Sequence, residues 1–241
     1  MRIATIAGEQ EMDRETLSGP RFDGLYDFIE EAYKANSVFR FDGTPFMEAA
    51  PQESIAGHMW STLLHWFNLK SLCPALAAAV DSERVYEILL MHDLPEIGQG
   101  DVSMFQQLAG NGSGKRAIER KALHSLSQTL PNETRDTWLH YFDEFEAEDI
   151  TRVTDTAILV ARMIDTIQGS FYALTYGDNP VAHAATHNKI INQHLGGTVR
   201  QLIAVLEGSG HEYAAGEVRT IMQHYITLWQ QKGVKLELDP F

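Results

Sequence analysis

The chain has 241 residues, a formal net charge of −14, 44% hydrophobic and 22% charged residues, and a single cysteine. That is enough chain for a substantial core in a soluble globular domain, and one cysteine excludes an internal disulfide. No basic stripe offers a nucleic-acid surface, no apolar run approaches the ~20 residues of a membrane span, and the N-terminus lacks the order of a signal peptide, so the expected setting is the cytoplasm.

Apolar periodicity predicts helices in chain order. Asp23 is the expected cap of a helix to about Ser37, with Leu25, Phe28, Ile29, Ala32 and Tyr33 on one face. Residues 39–52 form a connector with turn chemistry at Asp42-Gly43-Thr44-Pro45. A second helix covers 53–72. Cys73, just beyond it, reads as a buried structural thiol. A third helix starts near Asp81-Ser82, with Ser82 as the expected cap, and carries Val85, Ile88, Leu89 and Met91 up to His92-Asp93. Pro95, Gly98 and Gly100 then break the pattern.

The glycine-rich residues 109–114 read as a surface loop. No strand precedes them, and Lys115 is not embedded in a full phosphate-loop pattern. Further helices fit 115–130, 133–147, 149–176, 179–206 and 211–232, and Gly196-Gly197 is a point where the penultimate one can split. The short alternating stretch 234–238 is the one candidate strand. The expected fold is all-α: an N-terminal extension (1–22), a helical core (23–178), C-terminal helices packed on the same domain (179–233) and a tail (234–241).

The chemistry concentrates in Met91-His92-Asp93-Leu94-Pro95-Glu96-Ile97-Gly98-Gln99-Gly100-Asp101. Imidazole and carboxylate together suit several divalent metals. Neighbouring ligands cannot share a face of a regular helix, but they can converge where a helix unwinds, as Pro95 and Gly98 allow here. Alone, His92-Asp93 also fits a helix end with a hydrogen-bonded histidine. His58 lies near the start of an amphipathic helix, and Asp165 is embedded in an apolar helix face, where an acid must be paired, protonated or bound to a cation. A salt bridge to Arg162 is the simpler account of Asp165.

The order His, His-Asp, Asp, with 33 and 71 residues between, resembles the HD-domain metal-dependent phosphohydrolases. Within them it is most similar to the bacterial 5′-deoxynucleotidases and their eukaryotic HD-domain relatives. The resemblance runs from Glu53 to about Ala173 and implies that His58, His92, Asp93 and Asp165 hold one divalent cation. It also implies that Glu96 orients or deprotonates the attacking water and that Asp101 faces the substrate. Two positions depart from the family pattern: Gly57 stands where an acid usually precedes the first histidine, and no Arg-Trp element lies upstream. Arg40 is the only arginine of the connector and the candidate phosphate clamp, a surface salt bridge being the alternative.

The resemblance implies a metal-dependent phosphohydrolase, a 5′-nucleotidase acting on a small-molecule phosphate ester, and favours a homodimer. The alternatives are a nucleoside triphosphate hydrolase, a diiron HD oxygenase drawing on His124 and His140, and a non-catalytic nucleotide-binding module. Retention of Glu96 and Asp101 argues against the last. His65 shares a face with His58 but lies ~10 Å along the helix, too far to share an ion. Trp60, Trp66 and Phe67 read as core or dimer contacts, and residues 143–149 as a solvated acidic face and turn.

Overall fold

The computed structural model describes residues 20–107, 114–238 and 241. Most of the expected N-terminal extension, and all of the glycine-rich loop except Gly114, lie outside the described residues. The helices are α1 (Pro20–Ala32), α2 (Ile55–Leu72), α3 (Pro74–Ala79), α4 (Ser82–Met91), the short α5 (Met104–Gln106), α6 (Lys115–Leu126), α7 (Asn132–Phe145), α8 (Thr156–Tyr176), α9 (Ala184–Ile191), α10 (Gly197–Gly208) and α11 (Glu212–Gln231). Among the described residues there is no β-strand, only an isolated antiparallel bridge between Phe39 and Ser54. The fold is all-helical.

The centre is α8. A helix apolar on every side has to be surrounded, and Ala157, Ile158, Leu159, Val160, Ala161, Met163 and Ile164 are all buried. α2, α4, α7, α9 and α10 pack around it, and α11 covers α3 and α10. One continuous apolar cluster runs from Phe28 to Leu236, with Trp66 and Trp229 fully enclosed. Each such side chain contributes about 1.5–3 kcal/mol by leaving water. Trp66 is therefore core as expected, whereas Trp60 and Phe67 are 64% and 58% exposed. Cys73 is buried, and burial pushes its thiol pKa up.

Several helix ends differ from the sequence expectation. α1 begins at Pro20, so Asp23 lies inside the helix, and residues 33–37 tighten into a 3₁₀ turn. Asp81 rather than Ser82 caps α4, its Oδ1 accepting from the amides of Glu83 and Arg84 at 3.1 Å. The expected 149–176 helix is interrupted, and Asp155 caps the start of α8 by accepting from the Ala157 amide at 2.8 Å. α3 was not expected at all, because its cap is remote. Glu217 of α11 accepts from the amides of Ala75 (3.3 Å) and Leu76 (2.7 Å), satisfying helix donors from 142 and 141 residues away.

Gly196-Gly197 does not split the penultimate helix. Residues Asn192–Gly196 form a π-helical turn that joins α9 to α10 without a break. The candidate strand 234–238 takes no regular structure and pairs with no strand among the described residues. The side chains of α9 and the π-turn hold it instead: Asn188 Nδ2 donates to Lys235 O (2.9 Å), Asn192 Nδ2 donates to Glu237 O (2.8 Å), and Asn188 Oδ1 accepts from the Glu237 amide (2.6 Å). Val234 and Leu236 are buried, which accounts for the alternation in the sequence.

Candidate active site

Four side chains from three helices meet at one point. His58 comes from the second turn of α2, whose start is fixed by Ser54 Oγ accepting from the Gly57 amide at 3.1 Å. His92 and Asp93 come from the end of α4, where the backbone leaves α-helix and enters the 3₁₀ turn Leu94–Gly98. Asp93 has φ −99 and ψ −2, the bridge conformation that turns two consecutive residues toward one point. Asp165 comes from the middle of α8.

His58 Nε2 lies 3.0 Å from Asp165 Oδ1, 3.4 Å from Asp93 Oδ2 and 3.3 Å from His92 Nε2. His92 Nε2 lies 3.5 Å from Asp93 Oδ1 and 3.7 Å from Asp165 Oδ1. A divalent ion bound at ~2.0–2.2 Å by nitrogen and oxygen holds neighbouring donors about 3–3.5 Å apart. The donor set therefore fits a metal ion. His58, His92 and Asp93 each offer a ligand atom within 4.8 Å of the others, and Asp165 adds the fourth.

The far side of each imidazole supports the same reading. Leu89 O accepts from His92 Nδ1 at 3.0 Å. Gln168 Oε1 stands 2.5 Å from His58 Nδ1, and Gln168 Nε2 donates to Glu53 Oε1 at 2.7 Å. Nδ1 thus has an amide oxygen, which only accepts, and the Arg40 guanidinium, which only donates, as neighbours; a metal ion on Nε2 would require the Nδ1 hydrogen that Gln168 accepts. The acid expected next to His58 is thus supplied by Glu53, acting through Gln168. Gln168 is one turn beyond Asp165 on the same face of α8, a spacing that could have flagged it.

The charges of the cluster are tightly bound to one another. Burial alone lowers the His92 pKa, but Asp93 and Asp165 outweigh it and hold the imidazole up at about 9. Burial likewise opposes ionisation of Asp165 and Asp93, yet the two histidines keep both carboxyls below the usual range.

A cavity of about 490 Å³ opens beside this cluster, and Asp93, Asp165, Glu96, Asp101, Lys115, Arg40 and Arg162 all reach it. Lys115 Nζ donates to Glu96 Oε1 at 3.1 Å, while Glu96 Oε2 is buried without a partner. Burial, reinforced by Asp93, pushes the Glu96 pKa well above the usual carboxylate range, with Lys115 opposing. Asp101 lines the same cavity, and its Oδ2 accepts from the Phe41 amide at 2.9 Å. Phe41 is left-handed (φ 64), a conformation costing a non-glycine residue about 1–2 kcal/mol, so Asp101 also holds the connector in its bend.

Arg40 lines the cavity and is paired to Glu53 in a buried rather than a surface salt bridge. Its Nη1 lies 3.2 Å from Glu53 Oε2 and 2.5 Å from His58 Nδ1. Arg162 does not pair with Asp165 as the simpler account supposed. Its Nη1 donates to the carbonyls of Phe145 (2.5 Å) and Ala147 (3.2 Å). His124 and His140 are exposed and do not line the cavity, so the second-metal histidines of the oxygenase alternative are not brought to the site. The acidic run 143–149 is only partly a solvated face, since Glu146 and Glu148 reach the cavity. Sequence reasoning did not flag the Glu53–Gln168–His58 chain or the cavity-lining His194.

Among the described residues, no helix is long and apolar enough to cross a membrane. No curated protein matched the chain. A solved structure described as a predicted metal-dependent phosphohydrolase from Magnetospirillum magnetotacticum MS-1 shares 21% identity with a TM-score of 0.56, covering 91% of this chain and 100% of that one. At that identity the likeness concerns the fold. The family model for the HD domain matches residues 40–204, which take in His58, His92, Asp93 and Asp165, and the chain belongs to the HD domain family.

Proposed function

We propose that the protein is a metal-dependent phosphohydrolase whose substrates are nucleoside 5′-monophosphates. The observation that carries this is the four-ligand cluster with Glu96 Oε2 buried and unpartnered at the cavity it shares. A divalent ion held by His58, His92, Asp93 and Asp165 supplies Lewis acidity, neutralising phosphoryl charge and making a water easier to deprotonate. Glu96, its pKa raised by burial and by Asp93, takes the water proton as oxygen adds to phosphorus and the ester P–O bond breaks. Lys115 holds Glu96 in place through Oε1. Asp101 faces the leaving side of the substrate, and Arg40 keeps Glu53 and the His58 ring aligned at the edge of the cavity.

The far lining of the cavity, with Phe46, Phe105, His187, Ile190 and Ile191, is apolar and suits a nucleoside attached to the phosphate. Homodimer formation is part of the same reading, and Trp60, Leu64 and Phe67 form an exposed apolar stripe along α2 for a second copy.

The test is phosphate release from nucleoside mono-, di- and triphosphates by metal-stripped protein with Mn²⁺, Co²⁺, Zn²⁺ or Mg²⁺ restored. Metal-dependent release from monophosphates is expected. Release from triphosphates alone would move the substrate to that class, and no release from metal-loaded protein would overturn the reading.

A further inference from the structure

Arg40 lines the cavity with its charge paired to Glu53, so the cavity wall is the place to seek further groups that meet the phosphate oxygens. Lys115 is shared between Glu96 Oε1 (3.1 Å) and Glu119 Oε1 (3.2 Å). Among the basic side chains lining the cavity, Arg162, His187 and His194 have no carboxylate partner among the described residues; His187 is stacked against aromatic rings, which leaves Arg162 and His194.

Arg162 sits one turn before Asp165 on α8. Its two bonds to backbone carbonyls use Nη1 and fix the guanidinium plane at the wall without neutralising it. His194 sits on the π-turn Asn192–Gly196. Its Nε2 is buried and has no hydrogen-bond partner. Burial pulls its pKa down, so the ring is neutral near pH 7, and Asp165, Arg162 and Lys115 are close enough for their charges to act on it. Two costs therefore meet at one residue. An unpaired buried polar nitrogen costs about 1–3 kcal/mol, and a π-turn is a rare departure from α-helix that recurs at functional positions. An oxygen bound in the cavity would relieve the first and give a reason for the second.

We infer that Arg162 and His194 form an oxyanion subsite beside the four-ligand cluster, donating from the guanidinium and the imidazole to phosphoryl oxygens of the substrate. The inference rests on the phosphohydrolase reading and deepens it. Arg162 supplies fixed positive charge, and His194 supplies a directional neutral donor. The C-terminal helices, through the π-turn, thereby contribute a group to the reaction centre.

The experiment uses full-length, Mn²⁺-loaded protein and the variants His194→Phe, His194→Gln and Arg162→Lys. It measures metal content, steady-state kinetics on the best monophosphate, and inorganic phosphate binding by calorimetry. His194→Phe is expected to keep its metal, to weaken phosphate binding and to raise KM about 3- to 10-fold, the worth of one hydrogen bond. His194→Gln, which restores an N–H donor, should recover part of the loss. Arg162→Lys, which keeps charge but not the fork, should weaken phosphate binding similarly. If all three variants match wild type in phosphate affinity and KM while wild type hydrolyses monophosphates, the subsite is wrong and the phosphohydrolase reading stands. If metal-loaded wild type neither binds phosphate nor hydrolyses any phosphate ester, both fall together.

Discussion

Two pairs of histidines in this fold have opposite surroundings. His58 and His92 are buried among carboxylates, and His92 is held up at about 9. His187 and His194 have no carboxylate partner. His187 packs between Phe46 and Trp229, each with its ring centroid 4.9 Å away, and burial drives its pKa down to about 4. The side chain is the same, but one pair sits where a cation would be held and the other sits away from any carboxylate partner. What separates them is their neighbours: His58 and His92 lie 3.0–3.7 Å from Asp93 and Asp165, whereas His187 on α9 packs against aromatic rings and His194 on the π-turn makes no ion pair among the described residues.

The comparison breaks most visibly at the metal. His58→Ala or Asp93→Ala should empty the site by elemental analysis and drop hydrolysis to background, whereas His187→Ala should retain its metal. Equal losses from both would erase the distinction. Glu96→Gln should keep the metal yet lower kcat by about 10²- to 10⁴-fold, the range for a lost general base. A normal kcat would show that the unpartnered Oε2 is not where the proton goes.

A smaller effect tests the neutral pair through pH. The His187 pKa is depressed from 6.5 to about 4, so the stability it contributes is present above pH 6.5 and is lost as pH falls toward 4. The loss is at most about 3 kcal/mol. His187→Phe should flatten the decline in melting temperature across that window, and an unchanged slope would place the acid sensitivity elsewhere. Smallest is Gln168→Leu, which cuts the link from Glu53 to His58 and should weaken metal affinity about 10- to 100-fold with the ligands intact.

The four residues of the cluster and Glu96 stand out through the HD-domain resemblance; the local signals alone, a histidine and an aspartate at an unwinding helix end and an acid in an apolar helix, leave a hydrogen-bonded histidine and a salt bridge open. The sequence also carried the helical class, through apolar periodicity. What it did not carry depends on residues far apart in the chain. α3 has only six residues and takes its cap from Glu217. The link from Glu53 through Gln168 to His58 joins three elements. His194 was passed over because its glycine-rich context, Gly196-Gly197, reads as a helix break, and only packing shows that the chain continues through a wider turn.

The asparagine ladder at the C-terminal segment has a practical consequence for handling the protein. Asn192 is both the first residue of the π-turn and an anchor for Glu237. Force on residues 234–238, from an appended tag, a protease or a fused partner, is transmitted within two residues to His194. Affinity handles for kinetic work on this chain are therefore better placed away from that segment, and a truncation after Gly233 would act as a remote perturbation of the cavity rather than a neutral trim.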